Sequence, residues 1–223
     1  MKTLVIIPAY NEAQRIAEVI KETLALGVNV LVIDDGSRDA TSQAAGAAGA
    51  AVIRKDENRG KGAALRDGFC FALKNNYDAV VTIDGDGQHN PQDLPKFLAG
   101  LDNPEIAVVI GNRMHKPQGM PALRFLTNKF MSLVLSRICH QDIPDSQCGY
   151  RLVKRQILEK INLSTKRYEI ESELLVRASR MAYQILSVPI ESIYPGTKSQ
   201  IHPIVDTLRF LRFIFKELWT SPN

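Results

Sequence analysis

At 223 residues, 45% of them hydrophobic and 23% charged, the chain has the size and composition of one large α/β domain; disorder, a fibrous repeat and two independent domains are excluded. Its formal charge of +4 comes from scattered basic residues, which gives no nucleic-acid footprint and leaves anionic small molecules or an anionic membrane surface as partners. Cys70, Cys139 and Cys148 are widely spaced and form no CxxC pair, so a reducing, cytoplasmic setting is expected.

Taken in chain order, Met1–Lys2 is too short to lead a signal peptide, and the apolar run from Thr3 to Pro8 reads as a first strand. Further strands are predicted from Val30 to Asp34, Ala51 to Lys55, Ala79 to Asp84 and Ile106 to Gly111, separated by amphipathic or alanine-rich helical segments. This alternation predicts a mainly parallel sheet flanked by helices. Asn11 with Gln14 has the spacing of a capping box, and Asn90-Pro91 with Asp93 supplies a cap, a first-turn proline and an early carboxylate. The polar clusters Tyr10–Glu12, Asp34–Asp39 and Asp84–His89 therefore fall at strand carboxyl ends, where open α/β sheets bind ligands. Beyond Pro121 the pattern changes to long helices, Ala122 to Cys139 and Ile170 to Ala182, then a strand-like Gln184 to Pro189 and a last helix from Ile204 to Trp219.

Asp84 and Asp86 are two residues apart, so an extended backbone would send both carboxylates to one side. Such a pair suits Mg²⁺ or Mn²⁺ bridging phosphates, but Asp-Gly-Asp-Gly is also a good turn sequence. Asp35 could accept hydrogen bonds from a ribose or base. The segment Asn58-Arg59-Gly60-Lys61-Gly62 lacks both the Walker spacing and GxGxxG, which argues against a dehydrogenase and leaves a helix entry with Lys61 near an anion. His89, His115, His140 and His202 show no metal-ligand spacing, and surface or capping roles are expected for them.

Together, Pro8-Ala9-Tyr10-Asn11-Glu12, Ile33-Asp34-Asp35-Gly36-Ser37 with Asp39 and Thr41, Asn58-Arg59-Gly60-Lys61-Gly62 and Asp84-Gly85-Asp86-Gly87-Gln88-His89 resemble glycosyltransferase family 2. Within it, the likeness is to dolichol-phosphate mannose synthases and bacterial polyprenyl-phosphate glycosyltransferases, over about Thr3 to Pro189. The resemblance implies a GT-A fold, a UDP- or GDP-sugar donor and inversion at the anomeric carbon. It also implies that Pro8, Tyr10, Glu12, Ile33 and Asp35 line the nucleoside pocket. Asp84, Gly85 and Asp86 would meet the diphosphate, with Asp84, Asp86 and Gln88 as Mg²⁺ or Mn²⁺ ligands. Arg113 matches an arginine near the donor diphosphate and acceptor phosphate, and Arg124 and Asn128 match acceptor-phosphate positions. Asp86, Arg113 and Arg124 would carry the catalytic burden. Asp145–Arg151 and Glu173 also match family patterns without a firm role.

A lipid phosphate is already an anionic nucleophile at neutral pH and needs no base; a hydroxyl acceptor does, and Glu173 or Asp145 would have to serve. A nucleotidyltransferase is disfavoured because Tyr10-Asn11-Glu12 stands where its glycine-rich basic loop belongs. A non-catalytic nucleotide-sugar-binding module is the third reading. Residues 1–200 are expected to form the transferase domain. Residues 201–223 would form an amphipathic helix with Ile204, Leu208, Leu211, Phe215 and Leu218 on one stripe, widened by Phe210, Phe213, Ile214 and Trp219, and with Arg209, Arg212 and Lys216 on another. Such a helix either packs on the domain or lies on the cytoplasmic membrane face. The loop from Tyr194 to Ser199 aligns poorly with the basic donor loop of the mannose synthases, so a role for Lys198 does not carry over cleanly.

Overall fold

The computed structural model describes residues 1–117, 119–191, 193 and 203–219. Its elements run β1 (Thr3–Ala9), α1 (Ile16–Leu24), β2 (Asn29–Asp34), α2 (Thr41–Ala47), β3 (Ala51–Arg54), α3 (Lys61–Lys74), β4 (Ala79–Thr82), α4 (Leu94–Leu98) and β5 (Ile106–Asn112). They continue through α5 (Ala122–Cys139), β6 (Arg151–Lys154), α6 (Arg155–Leu158), α7 (Glu169–Arg180), β7 (Gln184–Pro189) and α8 (Pro203–Trp219). The seven strands form one sheet in the order β3-β2-β1-β4-β6-β5-β7, with only β6 antiparallel to its neighbours.

The apolar runs become strands because both faces of the sheet are covered. Leu4, Ile6, Leu31 and Ile33 join one hydrophobic cluster, while Val5, Ile7, Val30 and Val32 join the other. Each such side chain, withdrawn fully from water, contributes about 1.5–3 kcal/mol. The predicted mainly parallel α/β architecture is thus what the chain adopts.

Two local expectations are corrected. No capping box forms at Asn11: α1 begins only at Ile16, without a side-chain cap, and Asn11 sits in the left-handed region at φ 57°. Its side-chain oxygen instead accepts the N–H of Arg38, while its own N–H and that of Glu12 donate to Ser37 Oγ and Thr41 Oγ1. The polar ends of β1 and β2 are thereby tied to each other. Strand β6, unforeseen, is a buried central strand whose two charged side chains serve main-chain carbonyls. Arg151 donates to the carbonyls of Ser146, Cys148 and Glu171, and Lys154 to those of Leu101 and Asn103.

Helix α8 packs on α5 and α7 and places Phe210, Phe213 and Ile214 in the main hydrophobic cluster. Its tether is ionic as well: Glu217, buried, receives Arg177 and Arg180 from α7. Lys198, with the whole 194–202 segment and the expected 200/201 boundary, lies outside the described residues, as do the side chains of Ile204 and Leu218.

Candidate active site

A cavity of about 670 Å³ opens over the carboxyl ends of β1, β2 and β4 and extends to α5, α7 and α8. Pro8, Tyr10, Glu12, Asp35, Asp84, Gly85, Asp86, Gln88, Arg113, Arg124 and Asn128 all line it. Ile33 does not. Its side chain is fully buried in the core cluster with Leu4, Ile6 and Leu31, because the alternation of a strand sends it into the sheet's packing.

The Asp84–Asp86 pair occupies a turn, not extended backbone, since β4 already ends at Thr82. Asp86 Oδ1 accepts the N–H of Gln88, and Gly87 takes the positive φ of 72° that the turn requires. The turn and the carboxylate site are one object. Asp84 is clamped from the far side of the cavity: Lys61 Nζ lies 2.6 Å from its Oδ1 and 2.7 Å from Glu171 Oε1, and His89 Nε2 lies 3.6 Å from its Oδ2. Burial by itself would raise the Asp84 carboxyl, but Lys61 and His89 hold it well below the usual carboxylate range. Burial would likewise lower the Lys61 ammonium, and Asp84 and Glu171 reverse that and push it far above the usual lysine range. The pair presses on Gly149, where a Cβ would stand 2.5 Å from Asp84 Oδ2 and 2.7 Å from Lys61 Nζ. His89, expected at the surface, is only 2% exposed.

Glu12 and Asp86 form no ion pair with a described residue, and the cations near them offset only part of the repulsion. Burial, then the neighbouring Asp86 and Asp84, raise Glu12 to about 7 against the pull of Arg15; burial and Asp84 raise Asp86. Hard oxygens crowded until they repel suit a divalent cation, and two carboxylates with room for substrate oxygens suit Mg²⁺ or Mn²⁺. Among the described residues no group of three or more His, Cys, Asp or Glu is placed to hold a metal ion.

The raised Glu12 has a stability consequence. A carboxyl whose folded pKa lies above its unfolded value contributes stability below the unfolded value, lost as pH rises through about 7. Glu12→Gln is therefore expected to stabilise the metal-free protein at pH 8 by about 1 kcal/mol, discounted for partial exposure, and to change nothing near pH 4. Thermal melts at the two pH values check this; equal melting at pH 8 would mean that the carboxylate is not under repulsion.

Asp35 is spent on holding a loop. It accepts the N–H of Arg59 at 3.0 Å and of Gly60 at 2.6 Å, and pairs with Lys55 Nζ at 3.2 Å. That fixes the entry to α3 and so the position of Lys61. Arg113, at the end of β5, is buried and bound in a fork by Asp145, Nε to Oδ2 at 2.7 Å and Nη2 to Oδ1 at 2.9 Å. Burial would raise the Asp145 carboxyl, but Arg113 holds it below its ordinary value. Glu173 is fully buried and accepts the N–H and O–H groups of both Ser164 and Thr165. Neither Asp145 nor Glu173 lines the cavity, so the two base candidates are structural anions.

At the other end of the cavity, Arg124 and Asn128 lie one turn apart on α5. The Arg124 guanidinium makes no hydrogen bond or ion pair with any described residue, its carbonyl alone accepting the hydroxyl of Thr127, and the buried Nδ2 of Asn128 has no acceptor among the described residues. Arg167 and Tyr168, ahead of α7, and Arg209 of α8 complete this wall. Sequence spacing carried no sign of these three, or of Glu171, because they reach the site only through long-range packing.

The architecture matches that of solved sugar transferases. Glucosyl-3-phosphoglycerate synthase from Mycobacterium tuberculosis, in complex with Mn²⁺, UDP-glucose and phosphoglyceric acid, superposes with a TM-score of 0.77 at 21% identity, covering 96% of this chain and 79% of that one. Mannosyl-3-phosphoglycerate synthase from Rubrobacter xylanophilus gives 0.76 at 19% identity, covering 100% of this chain and 77% of that one. The fold is the GT-A fold of glycosyltransferases.

The family model for glycosyl transferase family 2 matches residues 4–162. The polyprenol monophosphomannose synthase of Mycolicibacterium smegmatis is 32% identical, covering 85% of this chain and 76% of that protein. The UDP-N-acetylglucosamine–dolichyl-phosphate N-acetylglucosaminyltransferase of Methanococcus voltae is 30% identical, covering 85% and 84%. An uncharacterized protein of Methanocaldococcus jannaschii, MJ1222, is 34% identical, covering 85% and 81%. This chain belongs to glycosyltransferase family 2, and it is a glycosyltransferase.

Proposed function

We propose that the chain transfers a sugar, with inversion, from a UDP- or GDP-sugar to the phosphate of a polyprenyl or dolichyl lipid. The single observation that carries this reading is the pairing of unpartnered donors at Arg124 and Asn128 with the absence of a free carboxylate at the positions where a base was expected. The two carboxylates expected to serve as base for a hydroxyl acceptor, Asp145 and Glu173, are both locked in buried hydrogen bonds. A phosphate monoester needs no base, since its second pKa is near 6 and it arrives charged. What it needs is a cation and a hydrogen-bond donor with no other partner, and α5 offers Arg124 and Asn128. The names of the M. smegmatis and M. voltae relatives support the same acceptor class.

In this reading Pro8, Tyr10, Glu12 and Asp35 border the nucleoside, with Ile33 packing behind the wall. Asp84, Asp86 and Gln88 would hold Mg²⁺ or Mn²⁺, which supplies positive charge to the departing diphosphate. Lys61 keeps Asp84 ionised and oriented. Arg113, fixed by Asp145, offers an immobile cation that costs nothing to reorganise. Arg124 and Asn128 draw the acceptor phosphate toward the donor despite their like charges.

Arg124→Ala is expected to lower kcat/KM for a polyprenyl phosphate by about 10²-fold, while leaving the donor's dissociation constant unchanged. Steady-state transfer assays with calorimetry of donor binding check the split. Unchanged transfer, or equal losses in donor binding and transfer, would remove Arg124 from the acceptor site.

A further inference from the structure

Glu171 and Tyr168, which line the cavity beside Lys61, have no part in the steps above. Glu171 is only 5% exposed, yet its Oε1 accepts no directed hydrogen bond: Lys61 Nζ stands 2.7 Å away as a counter-charge, off the angle of a hydrogen bond. The other buried carboxylates of this region are saturated, Asp145 by the Arg113 fork and Glu173 by the N–H and O–H groups of Ser164 and Thr165. A buried carboxylate oxygen held short of hydrogen bonds is costly, and in a cavity wall it marks a place where a ligand completes the set. The Lys61 ammonium carries three N–H groups, and Asp84 Oδ1 at 2.6 Å with Glu171 Oε1 accounts for two of them. One remains for the cavity.

Connectivity places the transferred sugar at this corner. The sugar is bonded to the diphosphate that the Asp84–Asp86 turn receives, and its anomeric carbon faces the acceptor phosphate at Arg124 and Asn128. It therefore lies between the two, and Glu171 is one lysine head group away from Asp84, within the width of a hexose ring. The chemistry selects what is bound there. A fixed carboxylate beside a fixed ammonium offers an acceptor and an N–H side by side; a hydroxyl both gives and takes a hydrogen bond and satisfies the two together. A carboxylate only takes, and would meet Glu171 with no proton to offer. Lys61 is shared by two carboxylates, so the corner stays net negative even before Asp86 is counted.

We propose that Glu171 and Lys61, with Tyr168 alongside, select the transferred sugar: a neutral hexose recognised through a hydroxyl away from its anomeric carbon, with uronic acids and the matching deoxy sugar excluded. This rests on the donor half of the reading above and not on the lipid acceptor. The test is calorimetric titration of the full chain, in Mn²⁺, with UDP and GDP, then with the glucose and mannose derivatives of the nucleotide that binds. The 3-, 4- and 6-deoxy analogues and the uronate of the tighter sugar complete the series. In the wild type, at least one deoxy analogue and the uronate are expected to bind about 10-fold or more weakly than the hexose. Glu171→Ala should bring the hexose and that deoxy analogue level. Glu171→Gln is expected to narrow the preference for hexose over uronate by about 10-fold, because an amide N–H replaces a repelling charge, and it decides alone if the alanine variant fails to fold. Both variants should bind the free nucleoside diphosphate as the wild type does. Equal losses for every sugar and for the free diphosphate would make Glu171 a support of Lys61 only and overturn the proposal, as would a wild type that binds hexose, deoxy analogues and uronate equally. The expected discrimination without transfer to any lipid phosphate would support the sugar contact while removing the acceptor reading.

Discussion

Asp86→Asn is expected to lower sugar transfer by about 10³-fold or more while leaving the fold intact, the largest kinetic loss from a single change in this site. Asp86 carries no salt bridge among the described residues; its Oδ1 accepts the Gln88 N–H, a bond that asparagine retains. Its carboxyl is raised by burial and by Asp84, so removing the charge relieves repulsion and should raise the melting temperature of the metal-free protein slightly. Activity and stability then move in opposite directions, which a merely structural aspartate would not do. Calorimetric titration with Mn²⁺ should show affinity falling with activity; full turnover in the variant would show that this turn is not the diphosphate corner of the site.

Lys61→Met is expected to produce the largest loss of stability in the site. The ammonium stands between the half-buried Asp84 and the buried Glu171, and its removal takes away the strongest counter-charge of Asp84, leaving it His89 alone, and the ion-pair partner of Glu171. Breaking a buried ionic cluster in this way costs about 3–5 kcal/mol, or roughly 10 °C in melting temperature for a chain of this size. The sign with pH follows from the shifts. Asp84 is held low, so its contribution is present above the ordinary carboxylate pKa and lost in acid; Lys61 is held high, so its contribution is present below the ordinary lysine pKa and lost in base. The deficit of the variant should therefore be greatest between about pH 5 and pH 9 and shrink as pH falls below about 4, where Asp84 is protonated in the unfolded chain while it stays ionised in the folded wild-type protein. Melts of both proteins across that range check it; equal stability at pH 7 would mean that water, not Lys61, neutralises the pair.

Local pattern made much of this molecule legible. Strands β1, β2, β3, β4, β5 and β7 announce themselves as short apolar runs, and three carboxylate-bearing clusters fall at strand ends because a parallel sheet puts them there. Strand β6 was hidden because Arg151 and Lys154 break its apolar pattern. Only the folded chain supplies the carbonyls of Ser146, Cys148, Glu171, Leu101 and Asn103 that make those charges tolerable in the sheet. The same reason conceals the electrostatics of the site. Nothing in the spacing of Lys61 and Glu171, or of Arg113 and Asp145, foretells contact, so the two lysine pairs and the arginine fork emerge only in three dimensions. Asn11 had the spacing of a cap, but the hydroxyls of Ser37 and Thr41 offered its loop better partners.

The most direct measurement of the central claim is nucleoside diphosphate release from UDP- and GDP-sugars with Mn²⁺, comparing a polyprenyl phosphate with the corresponding polyprenol. The account predicts release with one donor series, in step with glycosylation of the lipid phosphate, and none above background with the alcohol. Turnover of the polyprenol at a rate equal to the phosphate, or of neither lipid while a soluble hydroxyl acceptor is consumed, would contradict it.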